Sequence, residues 1–374
     1  MKFRAERTEF ADAATWVLRT VGARATLPAL SGVRMEVAGD RLLLGSTDLE
    51  VSSTLSIPVQ AEREGTALVP GRLLGDVVRS LPNAAINADA DTDRLHLECG
   101  NARFDLRLMP LEDFPSLATA AGEGAPAVMK ADEFAGRVAQ VARAASTDDA
   151  RPVLTGVYVQ ASNDHLLLAA TDSYRLAVLT LDWEQDVEGT VLLPRRALDE
   201  ARRSAEQLGS EVRMSFEESQ VGFDFGDRQL VTRLIEGSFP PFRQLIPTGY
   251  ERRLEVDRSD LIEVVRRVAV VGDANTTATP VTLHLTADTV RVTAGSGEIG
   301  EAEEALQGTL SGDDLQIAFN PRYLTDGLDA ANTDQVALEF RDELKPAVIR
   351  PVASGDDADE TGADFLYLLM PVRL

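Results

Sequence analysis

Leu27-Pro28-Ala29-Leu30-Ser31-Gly32-Val33 returns 124 residues later as Arg151-Pro152-Val153-Leu154-Thr155-Gly156-Val157. The same offset carries Thr47-Asp48 onto Thr171-Asp172, and Val69-Pro70-Gly71-Arg72-Leu73-Leu74 onto Leu193-Pro194-Arg195-Arg196-Ala197-Leu198. Phe114-Pro115 recurs 125 residues on as Phe239-Pro240. A fainter third copy follows in Pro280-Val281, Thr293 and Asn320-Pro321-Arg322-Tyr323-Leu324. The period is too long for a solenoid and is the size of a domain. Small-residue linkers after each Phe-Pro, Ala120 to Pro126 and Pro247 to Tyr250, set boundaries near 125 and 251. Three domains are therefore expected, 1–124, 125–251 and 252–374.

Each copy has the same order of elements. A helical stripe comes first: Phe10, Ala14, Val17, Leu18 and Val21; then Phe134, Val138 and Val141; then Leu261, Val264, Val265 and Val268. Strands follow, then a second helix carrying Leu73, Leu74, Val77, Val78 and Leu81, or Leu198, Ala201, Ala205 and Leu208. Alternating runs close each copy, at Phe104 to Leu108, Val212 to Phe216 and Val336 to Phe340. The class is α+β, with antiparallel strands and two helices on one face of each copy.

The formal charge is −24, shared as −5, −7 and −12 among the three copies. A uniformly acidic surface would repel phosphates. The bases, however, are 3 lysines and 34 arginines, so their placement matters more than their sum. Helix positions hold Arg19, Arg72, Arg79, Arg137, Arg143, Arg195, Arg196, Arg202, Arg203, Arg266, Arg267 and Arg322. The lone Cys99 excludes an intramolecular disulfide, and no apolar run approaches the roughly 20 residues of a membrane span. The charged start lacks the apolar core of a secretory leader, so a cytoplasmic protein is expected.

Thr171-Asp172-Ser173-Tyr174-Arg175-Leu176-Ala177, Gly237-Ser238-Phe239-Pro240-Pro241-Phe242, Asn320-Pro321-Arg322-Tyr323-Leu324 and Tyr367-Leu368-Leu369-Met370-Pro371-Val372-Arg373-Leu374 carry a resemblance over the whole chain. The chain resembles the β sliding clamps, the beta subunits of bacterial DNA polymerase III. The resemblance implies three DNA-clamp domains with sheets outside and helices inside. Two chains would join head to tail into a six-domain ring around duplex DNA, without catalysis or cofactor. It also implies acidity on the outer face and arginines on the inner wall, among them Arg24, Arg72, Arg79, Arg195 and Arg196. Partners would be double-stranded DNA bound without sequence preference, the replicative polymerase alpha subunit, the clamp loader and other replication and repair proteins.

A hydrophobic peptide pocket is implied between the second and third domains. By matching motifs it comprises Leu154, Thr171, Ser173, Tyr174, Arg175, Leu176, Pro240, Gln244, Leu245, Asn320, Tyr323, Leu344, Pro346, Leu368, Leu369, Met370, Pro371, Val372, Arg373 and Leu374. Apolar walls would hold leucine or phenylalanine anchors, with Met370 adapting to several ligands. Arg175 and Asn320 would hold peptide backbone or a glutamine side chain. Tyr174, Gln244 and Pro346 depart from, or vary within, the family pattern along the polar rim. The dimer edge is expected at Phe104 and Leu106, meeting Val270 and Val271 of a second copy, because an apolar strand edge needs a partner.

Other motifs carry less. Gly295-Ser296-Gly297-Glu298-Ile299-Gly300 matches a dinucleotide fingerprint, but in register with the repeat a strand follows, where that fingerprint needs a helix. Asp89-Ala90-Asp91-Thr92-Asp93 begins like a calcium loop yet lacks its glycine and closing glutamate, so a hairpin turn is expected. Asp356 to Glu360 lies in an expected acidic hairpin insertion. His96, His165 and His284 sit in separate copies with no nucleophile or metal set around them. A peptide-binding scaffold that never meets DNA and a multidomain enzyme for small molecules remain the alternatives.

Overall fold

The computed structural model describes residues 1–22, 27–120, 126–162, 164–183, 185, 187–272, 279–296, 300–352 and 363–373. Six α-helices lie among them, two to each sequence copy: α1 (Arg7–Val17) and α2 (Gly71–Ser80), α3 (Ala131–Ala142) and α4 (Arg195–Leu208), α5 (Arg258–Val268) and α6 (Pro321–Ala331). Their ends follow local chemistry. The Asp257 carboxylate caps α5 by accepting the Asp260 N–H at 3.0 Å. Pro321 opens α6, where its missing N–H costs nothing. Asn332 ends α6 in the left-handed region, at φ 52°.

Two helical readings are corrected. α1 stops at Val17, and the N–H groups of Arg19, Thr20 and Val21 bond back to Trp16, Val17 and Leu18. Leu18 and Val21 therefore reach the core from tight turns that follow the helix. On α2, Leu74, Val77 and Val78 are buried, as is Leu81 just beyond its end, but Leu73 is 46% exposed. At about 100° per residue, Leu73 falls outside the stripe centred on Gly71, Leu74, Gly75 and Val78, so it stays in solvent.

The chain divides into two compact units, Met1–Phe134 with Glu200–Leu234, and Ala135–Asp199 with Ile235–Leu374. In the first unit, one antiparallel sheet orders the strands Gln60–Arg63, Lys2–Ala5, Ile86–Ala90, Arg94–Cys99 and Ala102–Arg107. A second runs Ala127–Lys130, Glu211–Phe216, Gln220–Asp224, Arg228–Arg233, Val51–Pro58, Arg41–Thr47, Gly32–Ala38 and Gly65–Pro70. In the second unit, nine strands run Gly189–Pro194, Gly156–Ala161, His165–Thr171, Arg175–Asp182, Ala363–Leu369, Ala347–Val352, Gln335–Phe340, Arg252–Asp257 and Thr309–Ser311. Four more run Gly300–Gln307, Thr289–Ser296, Val281–Leu285 and Leu315–Phe319.

The sheets cross the boundaries between sequence copies. Val51–Pro58 and Arg175–Asp182 are equivalent strands of copies one and two. Each takes as its neighbour the last strand of the following copy, Arg228–Arg233 and Ala363–Leu369 respectively. Arg175–Asp182 is buried along nearly its whole length and reads Leu176-Ala177-Val178-Leu179, as a central strand covered on both faces should. Gly300–Gln307, at a sheet edge, alternates half-buried and exposed residues instead.

Gly300–Gln307 pairs with Thr289–Ser296, so the glycine-rich motif leads into a strand. Residues 297–299 and the acidic stretch 355–360 lie outside the described residues. Asp91 closes a hairpin, accepting the N–H groups of Asp93 and Arg94 at 2.7 Å each, and these bonds hold its carboxyl at about 2. His96 contacts Asp105 and Asp91, and both hold its imidazole above the ordinary value. Among the described residues, no helix is long and apolar enough to cross a membrane.

Candidate functional site

The site begins with a turn that the chain makes twice. Thr171 Oγ1 donates to the Arg175 carbonyl at 2.6 Å and accepts the Ser173 N–H at 3.1 Å. The Asp172 carboxylate accepts the N–H groups of Tyr174 and Arg175 at 2.9 and 3.1 Å. Ser173 is thereby held at φ 81°. At the equivalent place in copy one, Thr47 and Asp48 make the same four bonds around Leu49, at φ 78°. A residue other than glycine is rare there, and the surrounding bonds hold the strain. The neighbouring strand attaches alike in both: Arg233 N bonds Glu50 O, and Met370 N bonds Tyr174 O, each at 2.9 Å.

The turns differ in the residue that ends them. Copy one has Val51 and copy two has Arg175. Arg175 is 6% exposed, with Nε on Asp172 at 2.9 Å and Nη1 on Asp326 of α6 and on the Tyr367 hydroxyl at 3.3 Å. Burial works against its charge, but Tyr367, Asp326 and Asp172 outweigh it and hold the guanidinium above its ordinary value. Burial likewise pushes the Tyr367 phenol well up, with Arg175 opposing. Tyr367 donates to the Tyr323 carbonyl at 3.1 Å. The guanidinium also lies 4.4 Å from the Tyr323 ring centroid, and Tyr323 stacks on Tyr174 at 6.3 Å. Gly327 makes room for this knot, since a Cβ there would come within 2.4 Å of the Tyr367 ring.

Around the turn, apolar side chains stay in solvent. Tyr174, Leu245 and Leu344 are each more than half exposed, and Met370 and Val372 more than a third. They come from four segments that meet at the end of Ala363–Leu369. Met370 bonds Tyr174, and Val372 N bonds Ala318 O at 2.8 Å. Ala347, three residues after Leu344, pairs with Leu369. Phe242 and Ile246, on either side of Leu245, belong to the same apolar cluster as Leu176 and Leu368. Clustered exposed apolar groups of this kind mark interaction surfaces.

Several sequence-predicted pocket residues have other roles. Arg175 is consumed by its internal partners, and the Asn320 carboxamide oxygen caps α6 by accepting the Arg322 and Tyr323 N–H groups at 3.0 and 3.3 Å. Leu154, Thr171, Leu176, Leu368 and Leu369 are buried. Pro240, Pro346 and Pro371 are half-buried, while Gln244 and Arg373 are exposed. Leu374 lies outside the described residues. The sequence reading missed Asp172, Asp326 and Tyr367 as the groups that hold the site. Asp172 had a signal in the repeated Thr-Asp pair; Asp326 and Tyr367 had none, because their partner is remote in sequence.

The expected nucleic-acid arginines sit on helices. Arg72 and Arg79 are exposed on α2, Arg196 is exposed on α4, and Arg195 is half-buried there, 3.4 Å from Asp199. Arg24 lies outside the described residues. Arg19 and Arg143 follow α1 and α3 rather than lying within them, and Arg7 and Arg258, overlooked in the sequence, open α1 and α5. Many helix arginines are already paired: Arg79 with Asp76, Arg202 with Glu206, Arg203 with Glu200, and Arg267 with Glu263 and Glu304. At the expected dimer edge, Val270 is 79% exposed and Phe104 half-buried, but Leu106 is 3% exposed in the core of its own unit. The outward residues of that strand are Arg103, Asp105 and Arg107.

Comparison with known proteins agrees along the whole length. Residues 1–118 match the N-terminal domain of the DNA polymerase III beta subunit, 128–241 its central domain and 243–371 its C-terminal domain. The chain is 37% identical to the beta sliding clamp of Streptomyces coelicolor and 31% to that of Synechocystis, covering all of each protein. Among solved structures, the DNA polymerase sliding clamp of Bacillus subtilis superposes with a TM-score of 0.93 at 25% identity, covering 100% of this chain and 99% of that one. The DNA polymerase III beta subunit of Pseudomonas aeruginosa gives 0.89 at 28% identity, with both chains fully covered. This chain belongs to the DNA polymerase III beta subunit family, the β sliding clamps.

Proposed function

We propose that this chain is a processivity factor: two copies close head to tail around duplex DNA in the cytoplasm and tether the replicative polymerase, through its alpha subunit, and the clamp loader. The observation that carries the reading is the unbroken succession of three beta-subunit domains along one chain. The proposed domain boundaries remain near 125 and 251. Partners would dock by short peptides on the apolar rim formed by Tyr174, Leu245, Leu344, Met370 and Val372. Retention on nicked circular DNA after loading, with loss on linear DNA, tests encirclement; equal retention on both would contradict it.

The dimer would form where Ala102–Arg107 of one copy, an edge strand, meets the third-copy region of the other. Support comes from charge and exposure. Arg103 and Arg107 face outward on one edge strand, and Glu301 and Glu303 on the other, Gly300–Gln307. Phe104 and Val270 with Val271 would supply apolar contact, and Leu106 would contribute through its backbone. Val270→Asp with Val271→Asp is expected to yield monomers in sedimentation equilibrium. A persistent dimer would place the interface elsewhere.

DNA would be met by Arg24, Arg72, Arg79, Arg195 and Arg196. Contacts to phosphate carry no sequence information, and guanidiniums already paired to carboxylates make weak ones, which suits sliding. Alanine at these five positions is expected to weaken binding equally on unrelated duplexes. Each lost contact should flatten the slope of log affinity against log salt by about 0.9. A loss confined to one sequence would contradict the reading.

A further inference from the structure

A cavity of about 310 Å3 opens beside the Tyr174–Tyr323 stack, and its chemistry is unlike that of the apolar rim. Five arginines and three aspartates line it. Two of those aspartates, Asp172 and Asp326, are already committed to the buried Arg175. The third, Asp148, lies 3.8 Å from Arg151, with both side chains about half exposed. The remaining guanidiniums are oriented more than neutralised. Arg143 donates to the carbonyls of Ala139 and Asp326, and Arg195 to that of Ala145. Their carboxylate partners, Asp329 at 3.9 Å and Asp199 at 3.4 Å, lie outside the lining. Among the described residues, the Arg322 guanidinium has no hydrogen-bond or ion-pair partner. In a chain of charge −24, this is a concave site with surplus positive charge.

We propose that the cavity receives acidic side chains of the peptide whose apolar anchors sit on the neighbouring rim, so that the clamp selects partner peptides carrying carboxylates beside their anchors. The inference rests on the peptide-docking reading given above. Tyr174 belongs both to the rim and to the cavity wall, where it stacks on Tyr323, so a chain leaving the rim past that stack enters the cavity directly. A water occupies about 30 Å3 of liquid, so the volume admits one or two carboxylate side chains with some solvent. Arginine forks bind carboxylates through two parallel hydrogen bonds, and a partner of this kind would give a carboxylate to Arg322 and to Arg151, whose present contacts are the Ser173 hydroxyl at 3.2 Å and Asp148 at 3.8 Å. The rim supplies apolar contact without discrimination among sequences; the cavity would supply the discrimination.

The test uses the full chain and two fluorescein-labelled peptides with the same leucine and phenylalanine anchors, one flanked by two aspartates and the other by two asparagines. At low salt the acidic peptide is expected to bind about tenfold more tightly, with the difference shrinking as salt screens the charges. Arg151→Ala with Arg322→Ala should erase that preference while leaving the affinity of the asparagine peptide unchanged. Among the described residues the Arg322 guanidinium has no partner to lose, and a thermal melt of the double variant checks the fold. Equal affinity of the two peptides for the unaltered protein overturns the proposal, as does a preference that survives the double substitution. If the asparagine peptide fails to bind the unaltered protein, the rim reading falls and the proposal with it. A twelve-nucleotide oligo-dT is the third arm. If the double variant loses affinity for oligo-dT and not for the acidic peptide, the cavity serves nucleic acid and the proposal is overturned.

Discussion

Asp172→Ala is expected to lower the unfolding free energy by about 3–5 kcal/mol, the cost of stripping a buried charge of a close partner. Two losses combine there. The side chain accepts the N–H groups of Tyr174 and Arg175, and it is the nearest counter-charge of the Arg175 Nε. Arg175 would be left to Asp326 and the Tyr367 hydroxyl. The repeated turn supplies an internal control. Asp48→Ala removes the corresponding pair of N–H bonds, but Val51 stands where Arg175 does, so no buried charge is stranded. Its expected cost is smaller, about 1–2 kcal/mol. Urea unfolding of both variants measures the difference. Equal losses would show that Arg175 contributes little to the demand on Asp172, and that the turn geometry carries the whole effect. The removal of both members in Asp172→Ala with Arg175→Met should recover part of the loss, since a methionine leaves no charge to satisfy.

Removing Met370 to Leu374 is expected to cost peptide binding more than about 2 kcal/mol, or roughly thirtyfold in affinity, while the dimer persists. Met370 and Val372 are two of the five exposed apolar side chains around the 171–175 turn, and interface energy concentrates in such anchors. The cut also deletes backbone bonds. Met370 N is tied to Tyr174 O and Val372 N to Ala318 O, each worth about 1 kcal/mol of stability. Met370→Ala with Val372→Ala separates the two effects, because it keeps both backbone bonds and removes only the side chains. Fluorescence anisotropy of a labelled leucine–phenylalanine peptide, run beside ultracentrifugation, reads affinity and assembly together. Undiminished binding by the truncated dimer would place the peptide site away from this rim.

Much of the architecture was legible because it is written locally and more than once. The stripe Leu261, Val264, Val265 and Val268 reads as a helix from its spacing alone, and all four are buried on α5. The runs at Val212 to Phe216 and Val336 to Phe340 lie within strands, as their alternation implies. The repeat of Thr-Asp at 47 and 171 marks the same turn in both copies. Motif matches named the segments that meet at the rim, and Tyr174, Leu245, Leu344, Met370 and Val372 do stay exposed.

The roles within that neighbourhood were settled elsewhere. Arg175 looked like a ligand-binding arginine from its motif, yet α6 brings Asp326 and the strand Ala363–Leu369 brings Tyr367, and together with Asp172 they bury it and balance its charge. Asn320 looked like a polar finger and is a helix cap. Leu369 and Arg175 are opposite one another in register although they lie in different sequence segments of the second unit. What the sequence by itself determined was periodicity, repeat and turn chemistry, all properties of residues within a few positions of one another. What only the tertiary structure decided was which polar groups find internal partners and which apolar groups find none. Pairing is a matter of distance in space, and a charged side chain becomes structural or available according to what a remote strand or helix sets beside it.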